Sequence, residues 1–122
     1  MAYESNLDTR SFEAGVDLSA KQYHFVSISS DGQIDPTGDG AAAVGVLQNA
    51  PATVGDAAAV ATAGTTKIAF GGTVAAGAAV ASDAAGKAVV AATGDQILGI
   101  AAIGGASGEI GSIVFEPRGT AA

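Results

Sequence analysis

The chain has no cysteine and no tryptophan, one methionine and one histidine, and only five basic residues (Arg10, Lys21, Lys67, Lys87, Arg118) against twelve acids. Each scarcity removes a class of function. Without cysteine there are no disulfides, thiolate metal sites or cysteine nucleophiles, so stability must come from packing. The formal charge is -7 and the basic residues are spread along the sequence. No basic run is available to neutralise phosphates, and nucleic-acid binding is not expected. No stretch approaches the ~18 unbroken apolar residues of a membrane span, and the opening MAYESNLDTRSF lacks the basic start and apolar run of a signal peptide. A product made soluble in the cytoplasm, with no membrane partner, is the expectation.

What the chain does contain is small and apolar. Hydrophobic residues make up 48% of it, mostly Ala and Val, beside four Phe and two Tyr. A buried Val, Leu, Ile or Phe contributes roughly 1.5–3 kcal/mol and an Ala much less, so the core is expected to be thin and to gain from neighbouring subunits. Charged residues are only 14% of the total, which opposes the disordered signature of low hydrophobicity with high charge.

Glycine sets the fold class. Alanine favours helix, but Gly55, Gly64, Gly71, Gly72, Gly77, Gly86 and Gly94 interrupt every window long enough to nucleate one, at about 1 kcal/mol each. QYHFVSIS at 22–29 is aromatic and β-branched and precedes a Ser-Asp-Gly turn. Residues 31–40 (DGQIDPTGDG) are a loop with Gln33 and Ile34 briefly extended. Short apolar runs follow: AAVGVLQ, DAAAVATA, TKIAF, AAVAS, KAVVAA, QILGIAAI and EIGSIVFE. The pattern predicts an all-β fold, a small barrel or sandwich of about seven or eight short strands. Its expected divisions are an extended N-terminal arm at 1–21, a β-domain at 22–118 and a flexible tail at 119–122. There is also an internal echo. Gly45-Val46 precedes Gly55-Asp56 as Gly99-Ile100 precedes Gly108-Glu109, each a strand with a central Gly, a loop, a Gly-acid pair and another strand.

The residues that could carry chemistry have plainer readings. His24 sits in the expected first strand, alternating with Val26 and Ile28, with no partner specified for general-base work. Neither G-x-S-x-G nor S-x-x-K occurs, so no hydrolase motif supports a catalytic serine, and no enzyme activity, cofactor or small-molecule substrate is expected. Asp31, Asp35 and Asp39 miss the calcium-loop spacings and read as turn formers, with a cation as the alternative. Lys87 follows the hairpin Ser82–Gly86, where lipoyl and biotinyl domains carry their modified lysine, but Gly86-Lys87-Ala88 matches neither flanking pattern. Tyr3, Leu7 and Phe12, with Arg10 beside them, put sizeable side chains on a polar lead. They either fold back on the domain or dock on another subunit.

Four segments together resemble a family: FEAGVDLSAKQYHFV at 12–26, AAAVGVLQNAP at 41–51, GAAVASDAAGKAV at 77–89 and ILGIAAIGGASGE at 97–109. In order and spacing they are similar to the capsid decoration (cement) proteins of tailed bacteriophages. One departure is Gly77-Ala78-Ala79-Val80, where such proteins often carry an Asp after the Gly. The resemblance implies a compact β-domain, a homotrimer, on the outer surface of the virion capsid. Its partner would be the major capsid protein, whose expanded lattice it would clamp. In that setting Tyr3, Leu7, Arg10 and Phe12 are the expected partner-binding residues, ordering on an adjacent subunit. A small β-domain carrying a ligand or a modified lysine, or a subunit of another viral or surface assembly, is the alternative.

Overall fold

In the computed structural model the described residues are 2 and 4–122, and the described side chains are those of 2, 4 and 7–122. These residues form nine strands and no helix: Ser5–Ala14 (β1), Phe25–Ser30 (β2), Gln33–Pro36 (β3), Gly45–Leu47 (β4), Ala57–Ala69 (β5), Ala79–Ser82 (β6), Ala88–Val90 (β7), Gln96–Ile103 (β8) and Ile110–Thr120 (β9). The all-β expectation holds, with the glycines prevailing over alanine's helix preference.

All nine strands belong to one sheet, and its pairing closes on itself twice. The first ring runs β1-β3-β2-β4-β5 and returns to β1, with β1–β3 parallel and the other pairs antiparallel. The second runs β5-β9-β8-β6-β7 and closes through a parallel bridge from Phe70 to Ala88. Strand β5, thirteen residues long, belongs to both. Closure leaves fewer unpaired edges than an open sheet of the same strands would.

Each ring has its own core. Ala14, Leu18, Val26, Ile34, Leu47, Ala58 and Val60 fill the first, with Phe12 and Val44 packed at its margin. The second holds Val74, Val80, Leu98, Ala101, Ile113, Phe115 and others, including Phe70. Because side chains alternate along a strand, neighbours on β2 and β4 serve different cores. Val26 and Leu47 point into the first, while Phe25 and Val46 point into the second.

The two rings repeat one plan. Val26 pairs with Gly45 as Val80 pairs with Gly99. Gly55 N–H donates to the Ala14 carbonyl and Ala14 N–H to that of Asp56; Gly108, Phe70 and Glu109 repeat the pair, all at 2.9 Å. Backbones with positive φ also match: Tyr23 with Gly77, Gly32 with Gly86, Gly40 with Gly94, and Gly55 with Gly108. The echo in the sequence is thus a duplicated five-strand unit whose copies share β5. A methyl group at Gly45 would collide with the Ala61 carbonyl oxygen, and one at Gly99 with that of Val114. The same close approach demands glycine at both positions.

Several sequence expectations are corrected. Residues 5–14 are not an arm ahead of the fold but strand β1, antiparallel to β5 from Ser5↔Thr65 to Glu13↔Ala57. Irregularities at Asp8 break its alternation, which hid the strand. The runs DAAAVATA and TKIAF are one strand, because Gly64 at φ 99° is an irregularity inside β5 rather than a turn. In the 119–122 segment, Gly119 and Thr120 end β9, and Ala121 N–H donates to the Asp95 carbonyl at 2.8 Å. The first aromatic strand begins at Phe25 rather than Gln22, since Tyr23 at φ 63° breaks the extension.

Candidate interaction surface

Among the described residues there is no pocket and no group of three or more His, Cys, Asp or Glu placed to hold a metal. The features with chemical content are surface clusters and one buried imidazole.

His24 lies on the turn before β2, 6% exposed. Its Nδ1 donates to the Gln22 carbonyl at 3.0 Å, and its Cβ backs the buried Gly86 of the β6–β7 hairpin. Burial, the largest influence, holds its pKa below the ordinary imidazole value. The Gln22 hydrogen bond opposes that, the Lys21 and Lys87 ammonium groups reinforce it, and the Asp83 carboxylate opposes it weakly. The unfolded chain therefore takes up a proton at His24 near pH ~6.5, while the folded chain takes it up only at lower pH. Stability is complete above that pH and declines as pH falls toward the lowered folded value. Urea unfolding at neutral and mildly acidic pH, compared between the native chain and His24→Gln, checks this. The acid-induced loss should be smaller in the variant, and equal losses would remove His24 as the cause.

This turn is also where the chain's positive charge gathers. Lys67, on β5, holds its Nζ 5.8 Å from the centre of the Tyr23 ring. Lys21 Nζ donates to the Ala85 carbonyl at 3.3 Å, and Lys87 follows on the same hairpin. Among the described residues none of the three lysines makes an ion pair, whereas Arg10 pairs with Asp8 at 3.7 Å and Arg118 with Glu116. Asp83, the carboxylate at this face, accepts through Oδ1 from the N–H groups of Ala85 and Lys87, both at 2.9 Å. Lys87 is half-buried at the foot of the hairpin rather than displayed at its tip. This cluster was invisible in the sequence, where the three lysines are far apart.

Of the expected partner-binding residues, Leu7, Arg10 and Phe12 lie along β1. Tyr3 lies outside the described residues. Leu7 is half-buried, Arg10 is exposed beside Asp8, and Phe12 packs against the first core. Asp31 and Asp39 are exposed on the loops flanking β3, and Asp35, half-buried, accepts from Ser29 Oγ at 3.0 Å.

No protein-family model and no curated protein matches the chain in sequence. Its fold is similar to the crystal structure of the head fiber gp8.5 N base of bacteriophage phi29. The TM-score is 0.71 at 13% identity, over 95% of this chain and 98% of that one. At that identity the likeness establishes a shared fold spanning nearly the whole of both chains.

Proposed function

We propose that the chain is a structural protein of a tailed-phage head. In this reading it is a decoration (cement) subunit that binds the outer surface of the expanded shell and stabilises the major capsid lattice. The observation that supports this most is the end-to-end likeness to a phage head fiber base. The run of segments from residue 12 to 109 that resembles the decoration family points the same way. A doubly closed sheet without a pocket among its described residues suits a protein whose work is done by its surface.

The mechanism is linkage. A protein that binds the expanded lattice but not the unexpanded one stabilises the expanded state by its differential binding free energy. A homotrimer strengthens the effect, since three tethered contacts act together. With residues 5–14 paired in the sheet, β1 contributes through exposed side chains such as Arg10 rather than as a loose tether.

The test is co-sedimentation of the purified chain with empty expanded and unexpanded heads of the phage that encodes it. Selective binding to expanded heads, with a higher temperature of head rupture, is expected. Equal binding to both forms, or rupture unchanged at saturation, overturns the lattice-stabilising role. The neighbour's place at the base of a fiber favours a second reading, in which this chain anchors a longer appendage. Electron microscopy of decorated heads separates a bare layer from an anchored projection.

A further inference from the structure

We propose that the face formed by Lys21, Tyr23, Lys67 and Lys87 is a docking surface for a carboxylate-bearing segment of a protein partner. The proposal rests on the structural-subunit reading only in taking that partner to be a protein.

The first support is charge. In a chain of net charge -7, every lysine converges on one turn, and none of them is neutralised by an ion pair among the described residues. The nearby Asp83 carboxylate is engaged by its own loop amides. Such a concentration is the complement of a short acidic surface, and it orients an encounter that the rest of the molecule would repel.

The second support is the internal duplication, which supplies a control. Lys21-Gln22-Tyr23-His24 in the first ring occupies the place of Ala75-Ala76-Gly77-Ala78 in the second. Tyr23 N–H donates to the Leu47 carbonyl and Gly77 N–H to that of Ala101, both at 2.7 Å. His24 N–H donates to the Lys21 carbonyl and Ala78 N–H to that of Ala75, both at 3.1 Å. Alanine and glycine therefore suffice to build this turn. Tyr23 is nevertheless a tyrosine at φ 63°, the one positive-φ residue other than glycine among those described. Backbone conformations unfavourable to a bulky side chain persist where that side chain has a use. His24 has one in the seam between the rings, where it is buried. Tyr23 and Lys21 are partly exposed, and the Lys67 ammonium lies over the Tyr23 ring.

The ligand class follows from the count of cations. Three ammonium groups match the few carboxylates of a short acidic segment, while the Tyr23 ring offers it apolar contact. A nucleic acid would bring a continuous row of phosphates against a chain that is negative elsewhere.

The experiment is a titration of the isotope-labelled full chain, followed by amide NMR, with a Glu-rich peptide, the matching Gln-rich peptide and an oligothymidylate. The Glu-rich peptide should shift amides at 21–24, 67 and 85–87, and the effect should fade as ionic strength rises to ~0.5 M. The Gln-rich peptide should shift none. Tyr23→Gly and Lys67→Gln should each weaken binding about two- to fivefold. Both variants should keep a cooperative melt, Tyr23→Gly because Gly77 already forms the same turn. Shifts scattered over the surface, affinity indifferent to both substitutions, or tighter binding of oligothymidylate at this face would overturn the proposal. Peptide binding without head binding refutes the head reading alone; head binding without peptide binding refutes this one alone.

Discussion

Removing residues 1–11 should unfold the first ring rather than release a dispensable arm. The deletion takes away most of β1, including its register with β5 from Ser5↔Thr65 to Ser11↔Ala59. It also exposes one edge of β5 and cuts the chain immediately before Phe12, which packs against the first core. The edge left behind carries Val60 and Ala61, whose partners Arg10 and Thr9 are gone, as unpaired backbone. The loss is on the scale of the ~5–15 kcal/mol that a domain has in total, so no stable remnant of the first ring is expected. Hydrogen exchange reads this directly: amides of Val26, Ile34 and Leu47 should lose protection. A truncated chain that melts as the full one does would show that β1 contributes little. Loss of head binding by such a deletion is therefore not evidence of a lost partner contact unless exchange shows the ring intact.

Phe25→Ala should destabilise the whole molecule by about 3–5 kcal/mol, the usual cost of truncating a buried Phe. Phe25 is fully buried, with its ring centroid 6.3 Å from that of Phe115. Its backbone belongs to β2 in the first ring and its side chain to the second core. Its N–H also donates to the Gly86 carbonyl of the second ring at 2.7 Å, and Ala69 N–H donates to the Tyr23 carbonyl at 2.8 Å. The cavity thus opens at the place where the two halves are joined. Urea denaturation followed both by tyrosine fluorescence and by circular dichroism should give one coincident transition, shifted to lower denaturant. Two separated transitions in the native chain would mean that the rings fold independently and that Phe25 matters to one of them only.

The parts of this fold that were legible in the sequence are those fixed by local chemistry. Ser82–Gly86 reads as a hairpin loop because Asp and Gly supply its turn, and Asp83 indeed caps it through the amides of Ala85 and Lys87. Gln96–Ile103 reads as a strand and is one. The Gly45 and Gly99 echo reads as repetition because the same carbonyl approach demands glycine twice. The parts that were hidden depend on partners distant in sequence. Polar β1 becomes a strand because β5 pairs with it, and the irregularity at Asp8 erases the period that would have announced it. Gly64 looks like a terminator when neighbours are unknown, yet β1 and β9 flank β5 at Thr65 and hold it extended there. The lysine face has no local signature, since Lys21, Lys67 and Lys87 meet only when the rings are joined.

The sharing of β5 has a mechanical consequence. Pull along this strand from opposite ends, and the backbone hydrogen bonds to β1 and β9 lie across the direction of the force. Bonds arranged that way must slide and fail together, whereas bonds along a peeled hairpin fail one at a time. With no linker between the halves to stretch first, tension entering one half passes into the other through a continuous, laterally braced strand.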